Sequence, residues 1–238
     1  MLKTSLLTMA ALLASTATFA AAPKVMVRPN GVIVTPDHLT IAANRPRPIY
    51  SQAPALERGL TKIFDNLSRY PDGVYWCCTS SLISGPNSEF GSQVWIGAPF
   101  TPSANSTVSK IVLGLNYDSG TNAMVVALNK DSGGLPGKEQ ASARVSGLPD
   151  FPSCCAVAQA KFNDVPLSAG QQYWVVVRTD KKTADTFGGW SFNDTEQVNE
   201  VTEAINDGTG WQRCNPLQRP PLRFWENSCR TFCREWPG

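Results

Sequence analysis

Asp131-Ser-Gly-Gly134 is the run in this 238-residue chain that most invites chemistry. It has the composition of a serine nucleophile's surroundings. Such a serine needs a base to take its proton and a carboxylate to orient that base. The one histidine is His38, in Pro36-Asp-His38, among linker-like residues. A serine–lysine dyad has no supporting motif. The plainer reading is geometric. Gly133, Gly134 and Gly137 would supply positive φ, and Pro136 a fixed φ, in a long hairpin loop. No catalytic residue is assigned.

Carboxylates are the next candidates. Asp118, Asp131, Asp150, Asp164, Asp185 and Asp194 fall near predicted strand ends or loops. Ca²⁺ takes about six to eight oxygens, which loop carboxylates and carbonyls can supply. No EF-hand spacing or nonapeptide repeat is present, so solvated turns are the plainer reading. No cofactor and no metal are assigned, with Ca²⁺ the one ion these residues would suit. An extracellular hydrolase of the glycosidase type would need two carboxylates facing each other in a cleft. The sequence does not place such a pair.

The seven cysteines are Cys77, Cys78, Cys154, Cys155, Cys214, Cys229 and Cys233. Zinc suits them poorly, because no CxxC occurs and His38 stands alone. The N-terminus decides how to read them. Lys3, the apolar run Leu6–Ala14 and the small residues Thr18-Phe-Ala20 have the form of a secretory signal peptide. The apolar run is too short to span a membrane. Cleavage after Ala20 fits the small-x-small rule. An exported chain meets an oxidising compartment, so the cysteines are disulfide candidates, with one left over from three bridges. Adjacent side chains on a strand point to opposite faces. Each Cys-Cys doublet can therefore send its two members to different partners.

Seven tryptophans offer flat rings. Trp76, Trp211 and Trp225 lie outside the best strand cores, as does Trp236. They are the candidates for stacking on a ligand such as a polysaccharide, with core or tail packing the plainer reading. Trp95, Tyr173, Trp174 and Trp190 sit in strand contexts and would be buried. A net charge of +2 argues against nucleic acid as a partner. Charge is uneven, however. Arg213, Arg219, Arg223, Arg230 and Arg234 face only Glu226 and Glu235 in residues 211–238. Three N-glycosylation sequons, including Asn105-Ser-Thr107, read as chance matches in a chain whose signal looks bacterial.

These residues need elements to hold them. Gly and Pro number 18 each, and hydrophobic residues make up 42%. That combination suits many short strands joined by turns. Ile111–Tyr117, a Ser119-Gly-Thr-Asn122 turn, Met124–Leu128, the Asp131–Gly137 loop and Ala141–Val145 read as a β-meander. Ile111, Leu113, Leu115 and Tyr117 would line one face of a single strand, as would Met124, Val126 and Leu128 of the next. Further strands are predicted at Gln93–Ile96, Cys155–Phe162, Tyr173–Arg178, Gly189–Phe192 and Leu222–Glu226. Thr195–Asp207 reads as a loop with one helical turn. Val25–Val27 and Gly31–Val34 form a hairpin pattern. Residues 35–58 read as a linker or loosely docked arm, with a short helix at Ala55–Leu60. The fold class is all-β: an antiparallel β-sandwich or jelly roll with an N-terminal arm and a Cys-rich C-terminal tail. The divisions are a signal peptide over 1–20, an arm over 21–58, the sandwich over 59–210 and a Cys/Arg-rich tail over 211–238 that includes the expected last strand.

Several motifs, taken in order, carry a resemblance. They are Pro99-Phe-Thr-Pro102, Ile111-Val-Leu-Gly-Leu115, Ser119-Gly-Thr-Asn122, Asp131-Ser-Gly-Gly-Leu-Pro-Gly137, Pro166-Leu-Ser-Ala-Gly170, Tyr173-Trp-Val-Val-Val177 and Gly189-Trp-Ser-Phe-Asn193. Together they resemble the choice-of-anchor family (R-type domain) of secreted bacterial proteins, over about residues 63–226. The resemblance implies an exported β-sandwich with no assigned enzymatic activity, often followed by a surface-sorting tail. No site residue is carried over. The C-terminus departs from that pattern. It has no Pro-Glu-Pro signal, no LPxTG-like motif and no terminal apolar helix. Secretion or periplasmic residence is therefore expected over surface anchoring. The expected function is a non-enzymatic structural or binding module with an extracellular ligand or surface polymer as partner, and no membrane span after signal cleavage. A carbohydrate-binding module is the second reading and a hydrolase the third.

Overall fold

A computed structural model describes residues 26–27, 33–35, 40–42, 58–65, 79–151, 157–191 and 204–213. Among them every regular element is a β-strand and none is a helix. The first three strands are β1 (Met26–Val27), β2 (Ile33–Thr35) and β3 (Thr40–Ala42). Then come β4 (Thr79–Ser84), β5 (Trp95–Phe100), β6 (Ser106–Leu113), β7 (Leu115–Ser119) and β8 (Ala123–Asp131). The remainder are β9 (Pro136–Ser146), β10 (Ala158–Leu167), β11 (Tyr173–Arg178), β12 (Phe187–Ser191), β13 (Ala204–Asn206) and β14 (Trp211–Arg213). All pairings between these strands are antiparallel. They make one sheet of order β14-β13-β5-β11-β8-β9, a second of order β1-β2-β3-β4-β12-β7, and a two-stranded β10-β6 sheet.

β8 shows why the first sheet forms. Met124, Val126 and Leu128 alternate along it and are all fully buried. Val125 and Ala127, on its other face, are buried too. A strand apolar on both faces belongs in the middle of a sheet, and β8 lies between β11 and β9. On β11, Tyr173, Val175 and Val177 oppose Lys130, Leu128 and Val126. The main core gathers Met124, Val126 and Val177 from this sheet with Leu82, Leu115 and Phe187 from the second and Leu113 from the third. A second cluster, around Phe100, Leu128, Val165 and Tyr173, closes the end of the first.

The expected single strand Ile111–Tyr117 is two strands in two sheets. β6 pairs with β10 and β7 with β12, and the chain changes sheets at Gly114. The Gly114 carbonyl accepts the Ser191 N–H at 2.8 Å, in place of a ladder bond. The apolar alternation runs on unbroken across the change, so the pattern alone does not reveal it.

Other differences are local. Thr40–Ala42, expected in a linker, pairs with both β2 and β4. Three residues between prolines are too few for a periodicity to be read. The β1–β2 hairpin pairs Met26 with Val34 and Val27 with Ile33, within the stretch that the sequence predicts. Arg58–Gly59 is a turn with Gly59 at φ 85°, not part of a helix, and residues 55–57 lie outside the described set. β4 was not expected, because Thr79-Ser-Ser-Leu-Ile-Ser84 carries three serines. It is nonetheless buried from Ser80 to Ser84. Asn116 accounts for part of this, donating from Nδ2 to Ser80 Oγ at 2.7 Å and Ser191 Oγ at 3.2 Å, so one amide joins three neighbouring strands. Ala204–Asn206 is a strand rather than loop or helical turn, and it pairs with β14. The expected junction at 210/211 therefore falls inside a hairpin.

Candidate functional site

The Asp131–Gly137 segment closes the β8–β9 hairpin and folds over the face of the first sheet that points away from the main core. The loop's own residues dictate its shape. Gly133 and Gly134 sit at φ 64° and 79°, where only glycine is unstrained. Gly137 does not have the expected positive φ. It is needed instead for closeness, since a Cβ there would lie 2.7 Å from Ser132 Cβ and 3.1 Å from the Lys130 carbonyl oxygen. The Ser132 N–H donates to the Leu135 carbonyl at 2.9 Å and closes the turn.

Asp131 is the hub. Its Oδ1 accepts from Trp174 Nε1 at 2.7 Å and from Gln172 Nε2 at 2.8 Å. Its Oδ2 accepts from the Gly134 N–H at 3.0 Å. From β14, Arg213 donates to the Gly134 and Gly133 carbonyls at 3.1 and 3.2 Å. Trp174 is 1% exposed and forms a small apolar layer with Ala127, Val176 and Ala204, against which Leu135 and Trp211 pack. Gly97 makes room for that layer. A Cβ on it would lie 2.9 Å from Pro136 Cγ, 3.3 Å from Trp174 and 3.5 Å from Trp211. The Trp211 ring on β14, offered by the sequence for ligand stacking, packs against this layer and stays partly exposed. The sequence signal that could have found this arrangement is weak. A buried indole N–H needs an acceptor, but nothing in the chain says that the acceptor is 43 residues away.

Burial works against the charged form of Asp131. The Trp174, Gly134 and Gln172 donors and the Arg213 guanidinium outweigh it, and the carboxyl sits below its ordinary 3.8. A depressed folded pKa means that the charged form stabilises the fold. That contribution is fully present above the unfolded pKa and is lost as pH falls through the lower folded value. We therefore expect Asp131→Asn to be less stable than the parent at pH 7. The gap should narrow as pH drops below 4. Urea unfolding midpoints of both proteins across that range check this, and a gap that stays constant with pH would refute it.

Other carboxylates are engaged in the same way. Asp180 accepts from Lys182 N–H and Thr183 Oγ1 and pairs with Arg144. Burial opposes its charge, and these partners still lower its pKa. Glu139 pairs with Arg178 at 2.9 Å, and Arg178 lies over the Trp95 ring, 5.9 Å from its centroid. Asp207 accepts from Thr209 in the β13–β14 turn, which lowers its pKa. Asp164 sits at φ 41° in the β10 bulge between Lys161 and Val165. Asp150 bridges Tyr117 through backbone. Among the described residues, no group of three or more His, Cys, Asp or Glu side chains could hold a metal ion.

Of the aromatics expected inside, Tyr173 and Trp174 are buried, while Trp95 and Trp190 are only partly so. All seven cysteines, Trp76, Trp225, Trp236, His38, Asp194, the signal-like segment and Leu222–Glu226 lie outside the described residues. No protein-family model matches the chain, and no curated protein matches it.

Proposed function

We propose that this chain is an exported, non-enzymatic β-sandwich of the choice-of-anchor type that acts as a structural or binding module outside the cytoplasm. The sandwich would be formed by the three antiparallel sheets around their shared core, with an N-terminal arm before it and a cysteine-bridged tail after it. The observation that carries the reading is the fate of Asp131. The carboxylate beside the most nucleophile-like serine is committed to three hydrogen bonds that hold a loop on the sheet. The Arg178–Glu139 pair likewise ties β11 to β9, and the Arg144–Asp180 pair ties β9 to the loop after β11. Side chains spent on rigidity suit a scaffold whose loops do the recognition. Export is supported by the signal-like N-terminus and the seven cysteines.

The test is retention of the purified mature chain on a native envelope or extracellular matrix fraction. Saturable retention, competed by unlabelled protein, is expected. Absence of retention together with turnover of a polysaccharide or ester substrate would replace the module by the hydrolase reading. The carbohydrate-binding reading is the second one.

A further inference from the structure

We infer that the loop end of the fold around Phe64 is a binding surface for a neutral, hydroxyl-rich polymer, that is, an uncharged polysaccharide. This rests on the binding-module reading and gives it a place and a ligand class. Two stretches meet at that end, Ala98–Ser109 and Val165–Val177, and neither contains a single charged residue in a chain that is 17% charged. They are locked to each other. The Gly170 N–H donates to the Pro102 carbonyl at 2.9 Å, and the Ala169 N–H donates to Asn105 Oδ1 at 2.8 Å. The Ser168 N–H is held by the Tyr173 hydroxyl at 3.0 Å. Beneath them Phe100 and Tyr173 lie 6.0 Å apart, and Phe64 rests on Phe100 at 5.9 Å.

Beside the Lys62–Asp65 ion pair, this end presents outward a ring and neutral polar groups. Phe64 is 53% exposed, the exposed large hydrophobic residue among those described. Thr101, Ser103, Asn105, Ser168 and Gln171 are exposed around the two loops. A sugar ring has an apolar C–H face that packs on an aromatic ring and an equator of hydroxyls that both donate and accept. Hydroxyl and amide side chains match that equator without the desolvation cost of a charge. Loops already bonded to each other lose little freedom on binding. Charged groups border this end: Asp131, which accepts from Gln172 and Trp174; Lys130, which pairs with Tyr173 across β8 and β11; and the Lys62–Asp65 ion pair beside Phe64. Lys130 is the group through which an acidic polymer would bind instead.

Affinity electrophoresis of the full mature chain tests this, with xylan, galactomannan and hydroxyethylcellulose as neutral polymers and alginate and polygalacturonate as acidic ones. Retardation by at least one neutral polymer, insensitive to salt, is expected. Phe64→Ala should weaken it by about tenfold, equivalent to ~1.4 kcal/mol. Gln171→Ala should weaken it severalfold. Thermal melting of each variant, unchanged from the parent, shows that the fold is intact. Lys130→Ala should change nothing. Retardation only by acidic polymers, salt-sensitive and lost in Lys130→Ala, would overturn the proposal. So would neutral-polymer binding that survives Phe64→Ala. Retention on the native envelope without retardation by any neutral polymer would overturn this surface and leave the module reading standing. Loss of both would remove both.

Discussion

Trp174→Ala should lower the free energy of unfolding by about 3–5 kcal/mol, the range for removing a fully buried large aromatic. Two losses combine. The ring leaves a void between Gly97, Pro136 and Trp211, and the cavity cannot collapse easily because Gln172 and Arg213 still tie the Asp131 loop in place. Asp131 also loses its shortest donor, at 2.7 Å. Trp174→Phe separates the two. It keeps most of the packing and loses the N–H, so it should cost roughly 1.5–3 kcal/mol, the range for a hydrogen bond to a charged group. Guanidinium unfolding of the three proteins checks this. A Trp174→Ala cost below about 1 kcal/mol, the centre of ordinary point-mutation effects, would mean that the outer face is not a second apolar layer. Trp211→Ala should cost less, since that ring is only half-buried. Its effect should not add to that of Trp174→Ala, because the rings share one site.

This outer layer is also where the sequence was least legible. β8 and β11 could be read directly, because Met124, Val126 and Leu128 alternate and Tyr173–Arg178 is an unbroken apolar run closed by a charge. Periodicity works there because each strand buries a whole face. It fails for β4, where buried Ser80 is met by Asn116 and buried Ser84 by the Ser92 carbonyl. It fails at β3 and β13, where three residues carry no period. At Gly114 it gives the right faces and the wrong connectivity, since a change of sheet preserves alternation. The reading of Asp131-Ser-Gly-Gly134 as loop geometry was available from composition, because the glycines say what the backbone does. The partners of Asp131 were not, because they come from β11 and the residue preceding it, 41 and 43 positions on. Nor did composition point to Phe64, which gains its meaning only from lying on Phe100 beside two charge-free loops.

A second large effect is expected at the turn that joins β7 to β8. Gly120→Ala should cost about 3 kcal/mol from two independent causes. Gly120 sits at φ 80°, where a side chain costs roughly 1–2 kcal/mol. A Cβ there would also lie 2.0 Å from the Asp185 carbonyl oxygen. That oxygen belongs to backbone and cannot swing aside, so the loop must shift, at a cost typical of overpacking, about 1–3 kcal/mol. The shift would strain Thr186, whose hydroxyl donates to the Thr121 carbonyl at 2.6 Å and ties the same loop to the same turn. Gly147→Ala supplies the comparison. It has φ 67° but no atom within 4 Å of an added Cβ, so only the backbone cost applies. Gly120→Ala should therefore be the more destabilised of the two by about the overpacking cost, measured as urea midpoints under one condition. Equal effects at the two glycines would mean that the Ser119–Asn122 turn does not rest on the 184–186 segment.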